Sequence, residues 1–96
     1  MVEKYFEDGT WKVRLSGDVD MYNSDELKAG LSGLEGVDVT LDCSELTYID
    51  STGLGILVSM LNSPGRRVLV RGLKPHIYKI FKLTALDGIF DIEVAG

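Results

Sequence analysis

One stretch near the middle of the chain decides the fold: Leu46-Thr47-Tyr48-Ile49-Asp50-Ser51-Thr52-Gly53-Leu54-Gly55. It passes from an apolar run through an acid and two hydroxyl residues to glycine, and a helical apolar pattern starts directly after it. Hydroxyl side chains at a helix start can cap the free backbone N–H groups of the first turn. They can also carry a phosphate there, because the helix dipole favours negative charge. The stretch therefore predicts a loop-to-helix junction with Ser51 and Thr52 at the helix start.

The helix that follows this junction has the clearest periodicity in the chain. Its apolar residues recur at the spacing of one helix face, at Leu54, Leu57, Val58 and Leu61. The segment Asn62-Ser63-Pro64-Gly65 ends the pattern. Ile56 and Met60 lie off the apolar face. They either complete the core from its flanks or form an exposed apolar patch for a partner.

Two strands and a loop are predicted on the N-terminal side. Polar and apolar residues alternate as in a half-buried strand, with the apolar positions at Trp11, Val13 and Leu15. Residues 2–6 are its antiparallel hairpin partner across a turn at residues 7–10, so the pair lies at one edge of the sheet. The pattern then predicts a loop over residues 16–22, which contains Asp18 and Asp20.

A helix and another strand are predicted between Asn23 and Asp42. Asn23 and Glu26 have the spacing of a capping box, with Asn in place of the usual Ser or Thr. The apolar face of this helix comprises Leu27, Leu31 and Leu34. Gly33 or Gly36 ends the helix. The strand that follows has its apolar positions at Val37, Val39 and Leu41 and ends at Asp42.

The last third of the chain adds a buried strand at residues 68–70, a helix that starts at Pro75, and a short terminal strand. The helix face comprises Ile77, Ile80 and Phe81, a connector comprises Leu86, Ile89 and Phe90, and the last strand contains Ile92 and Val94. The order β-β-α-β-α-β-α-(β) predicts an α/β fold. We expect a small mixed sheet, mostly parallel with an antiparallel N-terminal hairpin, and helices packed on it.

Length and composition predict a single domain over residues 1–96. The formal net charge of −5, without a basic stripe, disfavours binding to nucleic acid or to an anionic membrane. The lone Cys43 fits a reducing compartment, and we expect a buried, inert thiol. Residues 1–4 do not resemble a signal peptide, and no apolar stretch approaches the ~20 residues of a membrane-spanning helix. These features predict a soluble cytoplasmic protein.

The sequence predicts neither a metal nor a cofactor. It contains no His/Cys cluster with ligand spacing, and the single His76 is expected on the solvated surface. Gly53 and Gly55 lack the lysine and the third glycine of a nucleotide-binding loop, so close backbone approach is a sufficient reason for them. A hydrolase that uses Ser51 would need a base that no motif supplies.

Three motifs together resemble the STAS domain family, and within it the bacterial anti-sigma-factor antagonists. They are Asp50-Ser51-Thr52-Gly53-Leu54-Gly55, Leu15-Ser16-Gly17-Asp18-Val19-Asp20, and Gly72-Leu73-Lys74-Pro75 with the apolar residues after it. The resemblance covers nearly the whole chain, in order. It departs from the family at Thr52, where many relatives carry a second serine, and in the short connection at residues 62–67.

The resemblance implies a binding protein, not an enzyme, that is regulated by phosphorylation of Ser51. In this family the kinase is the anti-sigma factor itself. The resemblance implies that the unphosphorylated antagonist binds it and frees the sigma factor, and that a phosphatase returns the phosphorylated antagonist to its binding form. The partner-binding residues implied are Asp20, Asp50, Ser51, Thr52, Gly53, Gly55 and Ile56. The free protein is expected to be a monomer. The alternative is a STAS interaction module of a transporter-associated or stressosome-like complex without a phosphorylation switch.

Each of these site residues also has a purely structural interpretation. Ser51 could only cap the helix, although we expect Thr52 to supply the cap or a first-turn hydrogen bond. Asp20 and Asp50 could only cap turns at strand ends. If Ser51 is phosphorylated, we expect Asp20, Asp42 and Asp50 to lie near the phosphate and to oppose its burial against a partner.

Overall fold

In the part of the chain that the structure describes, five strands form one sheet in which the spatial order follows the chain order, from β1 to β5. The computed structural model describes residues 1–34 and 37–93. The strands are β1 (Val2–Glu7), β2 (Thr10–Val19), β3 (Val39–Ile49), β4 (Val68–Arg71) and β5 (Asp91–Ile92). β1 is antiparallel to β2, and every later neighbour is parallel. The predicted mixed sheet with an antiparallel N-terminal hairpin is confirmed.

Three α-helices connect the strands: α1 (Ser24–Leu31), α2 (Ser51–Leu61) and α3 (Pro75–Leu83). Two 3₁₀ turns, Met21–Asn23 and Leu86–Gly88, precede α1 and follow α3. The core lies between the helices and one face of the sheet, because burial alternates along residues 13–15 of β2 and residues 39–43 of β3. Ile77 and Phe81 of α3 are fully buried, as the helix pattern predicts.

The second face of the sheet, here called the open face, carries charged residues. Strand register and contacts place a row of alternating charge across it, comprising Glu3, Arg14, Asp42, Arg71 and Glu93. Arg14 Nε lies 3.6 Å from Asp42 Oδ2, and Arg71 Nη2 lies 3.8 Å from Glu93 Oε1. Opposite charges on neighbouring strands stabilise a solvated sheet face.

The hairpin turn between β1 and β2 confirms the prediction at residues 7–10. Asp8 and Gly9 both have positive φ angles, of 54° and 76°. Two consecutive left-handed residues match the twist of a tight hairpin, and Asp-Gly is a preferred pair for this turn. The turn fixes the register that pairs Phe6 with Trp11, whose rings meet edge to face at 5.3 Å.

Two predicted strand ends are wrong. The predicted loop over residues 16–22 is strand as far as Val19, and β3 continues seven residues beyond Asp42, to Ile49. The register explains the error: Arg14 pairs with Asp42 but Ser16 with Glu45, and Gly17 pairs with Leu46 but Asp18 with Tyr48. Each shift adds one residue to β3, as a β-bulge does. The bulges interrupt the alternation of buried residues by which a strand is recognised.

The predicted capping box between Asn23 and Glu26 is also wrong. Asn23 is the N-cap residue of α1, but its side chain makes no cap hydrogen bond to that helix. It forms a capping box with Asp20 around the preceding 3₁₀ turn instead. α1 ends at Leu31, and Gly33 follows with a φ of 82°. The other predicted end, Gly36, and the predicted strand residue Val94 lie outside the described residues.

Cys43 is buried in β3, as predicted. Burial raises the pKa of its thiol to about 12, and the nearby Asp42 carboxylate adds to the shift. The thiolate is the nucleophilic form, so this cysteine is inert near neutral pH. No helix in the described part of the chain is long and apolar enough to cross a membrane.

Candidate functional site

The C-terminal ends of β2 and β3 meet at one edge of the sheet, here called the C-terminal edge. The backbone N–H of Asp50, directly after β3, donates to the carbonyl of Val19 at the end of β2 over 3.1 Å. The turn at Met21–Asn23 and helix α2 therefore start from adjacent points. Parallel strands bring their carboxyl ends to one side of the sheet, where α/β proteins commonly bind their ligands.

The Asp50 carboxylate accepts a backbone hydrogen bond from each of these two segments. Its Oδ1 accepts from the N–H of Gly53, over 2.9 Å, and caps α2. Its Oδ2 accepts from the N–H of Met21, over 3.2 Å. The prediction that Ser51 or Thr52 caps α2 is therefore wrong, because a carboxylate one residue earlier occupies the cap position and can accept two bonds. The Ser51 side chain is left exposed at the first position of the helix.

A second set of hydrogen bonds closes the segment that faces Asp50. Asp20 Oδ1 accepts from the N–H of Tyr22 over 3.0 Å, and Asn23 Oδ1 accepts from the N–H of Asp20 over 2.9 Å. Asn23 Nδ2 also donates to the carbonyl of Asp18 over 2.6 Å. Thr47 in β3 donates its hydroxyl to Asp18 Oδ1 over 3.0 Å. The turn is thus hydrogen-bonded to both strands, and Asp20 and Asp50 each occupy a cap position, at the 3₁₀ turn and at α2.

The two glycines of the central motif have different surroundings. Gly53 is buried, and a Cβ there would lie 2.8 Å from the Val19 carbonyl oxygen and 2.9 Å from Ile49. Only glycine lets the first turn of α2 come this close to the strand ends. Gly55 is exposed, and a Cβ there would have no neighbour within 4 Å. Gly53 is required for close packing of α2 against the strand ends, whereas Gly55 leaves the outer surface of α2 without a side chain at that position.

Ile56 lies on the buried side of α2. Its side chain is 6% exposed and belongs to the core, so the alternative of an exposed apolar patch at Ile56 is wrong. Met60 is half-buried and packs against the same core. Thr52 is also half-buried, which leaves Ser51 as the more accessible hydroxyl of the pair.

The electrostatics of the C-terminal edge are acidic. Asp18, Asp20 and Asp50 lie within one hydrogen-bonded set, and α2 has no charged residue from Ser51 to Leu61. Across residues 1–34 and 37–93, the ion pairs involve other carboxylates, namely Asp42, Asp91 and Glu93. Within these residues, Asp18, Asp20 and Asp50 therefore take part in no ion pair.

Asp42 does not belong to this site, contrary to the prediction that it lies near Ser51. It lies in the first half of β3 on the open face, where it pairs with Arg14, eight residues before Asp50. Burial raises the pKa of its carboxyl, but hydrogen bonds from Ser44 and the charges of Arg14 and Arg71 outweigh this and lower it below 3.8. The error follows from the missed length of β3.

Three large apolar side chains at this edge were not predicted from the sequence. Tyr22 is 92% exposed, Met21 is 58% exposed and Tyr48 is 49% exposed. Met21 and Tyr22 occupy the turn bound to Asp50, and Tyr48 precedes Ile49 at the end of β3. Large apolar residues in a turn between acids are the signal that could have identified them. They add exposed apolar surface to this acidic edge, and aromatic residues and Met are enriched at protein interfaces.

His76 lies at the start of α3 and is exposed, as expected. Its Nε2 lies 3.1 Å from the carbonyl oxygen of Thr47, so it contacts the end of β3. Within the described ranges, no group of three His, Cys, Asp or Glu side chains could hold a metal ion.

The chain is similar in sequence and in structure to known STAS domains and anti-sigma factor antagonists. A family model described as "Mlab, STAS domain" matches residues 3–93. The anti-sigma-B factor antagonist of Listeria monocytogenes is 31% identical over 87 residues, which cover 84% of this chain and 76% of that protein. An anti-sigma factor antagonist from Mycobacterium paratuberculosis has a similar structure, with a TM-score of 0.82 at 24% identity, covering 99% of this chain and 86% of that one.

The Bacillus protein SpoIIAA, an anti-sigma factor antagonist, has been solved in an unphosphorylated and a phosphorylated form, and both resemble this chain. Their TM-scores are 0.71 and 0.69, at 19% and 18% identity. The alignments cover 100% and 98% of this chain, and 90% and 92% of the two SpoIIAA chains. At this identity the similarity concerns the fold.

Proposed function

The chain belongs to the STAS domain family, in its group of anti-sigma-factor antagonists, and we propose that Ser51 is its phosphorylation switch. In this proposal the unphosphorylated protein binds an anti-sigma factor and so releases a sigma factor. The anti-sigma factor is a serine kinase that phosphorylates Ser51 and ends the complex. A phosphatase removes the phosphate and restores binding.

The observation that carries the proposal is the position of the Ser51 hydroxyl. It is exposed at the first residue of α2, and the capping bond that such a hydroxyl could make is made by Asp50. The chain therefore presents this hydroxyl, which has no capping role, at the capped start of α2, where the active site of a kinase can reach it. The transferred phosphoryl group needs positioning by the kinase and its metal ions, so no residue of this chain has to act as a base.

The fold can carry a phosphate at this place. A phosphoserine at the first position of a helix adds about −1.5 to −2 charge at the positive end of the helix dipole. Gly55, one turn further on, leaves open space beside it. That SpoIIAA has been solved in a phosphorylated form supports the same expectation, since both of its forms share this fold.

A bound partner cannot accommodate the phosphate equally well. Asp18, Asp20 and Asp50 already make the C-terminal edge acidic, and contact with a partner removes the water that screens them. We expect the phosphorylated complex to dissociate through charge repulsion and the cost of desolvation, while the free antagonist stays folded. Asp20, Asp50, Thr52, Gly53 and Gly55 form the partner-binding surface around Ser51, with Ile56 supporting it from the core.

This function is one of binding, without catalysis and without a cofactor. The partners are proteins of the cytoplasm, with neither nucleic acid nor membrane among them. The unit that acts is the single domain of residues 1–96, and it is a monomer when free. The net charge of −5 supports the exclusion of nucleic acid, because such binding depends on neutralising phosphates.

The test is incubation with the anti-sigma kinase and ATP, followed by intact mass measurement and peptide mapping. We expect one added phosphoryl group on Ser51, and none on the Ser51→Ala variant. Ser59→Ala is the matched control, because Ser59 is an exposed serine two turns later in the same helix. In a binding titration, Ser51→Ala should retain the kinase complex and Ser51→Asp should weaken it, more strongly at low than at high salt.

Three results would contradict the proposal. Equal binding of Ser51→Ala and Ser51→Asp would exclude charge as the switch. A phosphate on Thr52 would move the switch to the other hydroxyl. Stable binding to a transporter subunit, with no phosphorylation by any such kinase, would favour the alternative of a STAS interaction module.

A further inference from the structure

The open face of the sheet is uncovered in the part of the chain that the structure describes, because the core and the helices lie on the other face. Residues of β1, β2, β3 and β4 line one open depression of about 690 Å³ on this face. Most of the lining side chains are charged or polar. An apolar partner would leave these charges unpaired, whereas a partner of complementary charge would not.

The charges of the open face lie in a row that crosses the strands at one level along the strand direction. The strand register sets the members of this row side by side, in the order Glu3, Arg14, Asp42 and Arg71. The sign of the charge therefore reverses from each strand to the next. At equal distances from the midpoint between β2 and β3, the row carries opposite charges. Such a row is complementary to a copy of itself that is turned by 180° about an axis parallel to the strands through this midpoint.

The next row of the open face is complementary to itself about the same axis. The register gives its order as Tyr5, Lys12, Thr40 and Leu69. The half-turn places Tyr5, which is 59% exposed, opposite Leu69 of a second copy, and Lys12 opposite Thr40. An aromatic ring then meets an aliphatic side chain, and an ammonium group meets a hydroxyl that can accept its hydrogen bond. Both rows thus favour the same partner in the same orientation.

We propose that the open face binds a second copy of this chain, face to face, about a two-fold axis that is parallel to the strands and midway between β2 and β3. Arg14 of each copy then faces Asp42 of the other, and Glu3 of each faces Arg71 of the other. A two-fold interface requires a self-complementary surface of this kind. Stacked sheets lie about 10 Å apart, a gap that an arginine and a carboxylate side chain span together. An axis along the row would instead place each charge opposite its own copy, and like charges would repel.

The pairing is weak and depends on concentration. The two rows and their surroundings extend about 20 Å across four strands and about 15 Å along them, which is less than the ~800 Å² per partner of a standard interface. Arg14 and Arg71 also have partners in their own chain, at 3.6 Å and 3.8 Å, so the second copy shares existing pairs. The protein is therefore a monomer in dilute solution, in agreement with the proposed function, and pairs where it is concentrated.

The arrangement leaves the C-terminal edge free. Because the axis is parallel to the strands, the strand ends of both copies point in the same direction. The two Ser51 hydroxyls then lie on one side of the pair, outside the contact between the sheets. Pairing and the Ser51 switch are thus separate properties, and neither requires the other.

The experiment exchanges the two central charges and measures the mass in solution by sedimentation equilibrium at low salt. Arg14→Glu and Asp42→Arg each place like charges opposite one another, so each variant alone should stay monomeric. A 1:1 mixture of the two restores opposite charges across the interface, although the pair within each chain remains broken. We expect wild type and the mixture to shift toward twice the mass of one chain as the concentration rises from about 10 µM to about 1 mM. High salt should return both to monomers.

Lys28→Glu is the matched control, because it makes the same change in net charge as Arg14→Glu at an exposed position of α1 and should pair like wild type. A wild type that stays monomeric over the whole range overturns the proposal. So does a single variant that pairs like wild type, or a mixture that stays monomeric. Circular dichroism checks that each variant is folded. Should Asp42→Arg fail to fold, Glu3→Arg and Arg71→Glu make the same exchange at the outer, exposed positions. No kinase enters this experiment, so failure of the proposed function would leave its result unchanged.

Discussion

Carboxylates occur in two regions of this sheet, and they have different partners. On the open face, Asp42 and Glu93 lie next to Arg14 and Arg71 in exposed ion pairs. At the C-terminal edge, Asp20 and Asp50 accept hydrogen bonds from backbone N–H groups and form no ion pair within the described ranges. The two regions have similar acids but opposite electrostatic character.

This contrast gives a physical reason why, in the proposed function, a phosphate would act as a signal at the C-terminal edge and not on the open face. On the open face, an added negative charge would be compensated by neighbouring arginines. At the C-terminal edge, the carboxylates are used to shape the backbone, so their charge remains available to repel a further anion. Asp50 therefore has two roles: it caps and positions α2, and its negative charge helps to make the local electrostatic potential negative.

The largest expected loss of stability comes from a substitution that tests how closely α2 is packed against the C-terminal edge. Gly53→Ala places a methyl group 2.8 Å from the Val19 carbonyl, so α2 has to move. We expect a loss of about 2–3 kcal/mol in the free energy of unfolding, measured with urea. Gly55→Ala, in the same helix turn but over open space, should instead gain up to ~1 kcal/mol. Equal effects of both substitutions would show that α2 does not rest on the strand ends.

A smaller change in the free energy of unfolding is expected when the two kinds of carboxylate are compared by substitution. Asp50→Ala removes the cap of α2 and the bond to Met21, and should cost about 1–2 kcal/mol in urea unfolding. Asp42→Ala removes only an exposed ion pair and a local bond to Ser44, so its cost should stay below ~1 kcal/mol. Asp50→Asn keeps an oxygen acceptor for Gly53 and should fall between them. If Asp42→Ala costs more than Asp50→Ala, the distinction between the two regions fails.

Much of this architecture could be predicted, because the regular elements carry regular patterns. The spacing of Leu54, Leu57 and Leu61 predicts α2, and all three residues are buried. Pro75 marks the first turn of α3, where the structure has it. The Asp8-Gly9 turn likewise defines the hairpin. In each case local sequence and tertiary packing favour the same conformation.

The errors lie where packing between distant residues overrides the local pattern. Two bulges change the buried positions of β3 from alternate residues to Cys43, Leu46 and Ile49, which is not a strand period. Because of this irregular pattern, the last part of β3 was not predicted, and the separation between Asp42 and Ser51 was underestimated. The identity of the cap was missed for another reason, since Asp, Ser and Thr are all good N-caps and only the backbone angles decide among them.

The smallest effect concerns the response of the open face to acid. The pKa of Asp42 is lowered on folding, so its ionised form stabilises the protein above its unfolded pKa of about 3.8, and this stabilisation is lost as the pH falls through the folded value. Asp42→Asn should therefore lose less stability than wild type between about pH 5 and pH 2. The difference should stay below ~0.5 kcal/mol, because the pair with Arg14 is partly exposed and screened. Urea titrations at several pH values measure it, with Arg14→Gln as the variant that weakens the same pair from the other side. An acid response of Asp42→Asn identical to that of wild type would mean that this carboxylate is not stabilised on the open face, and that the arginines there leave its charge as uncompensated as the charges beside Ser51.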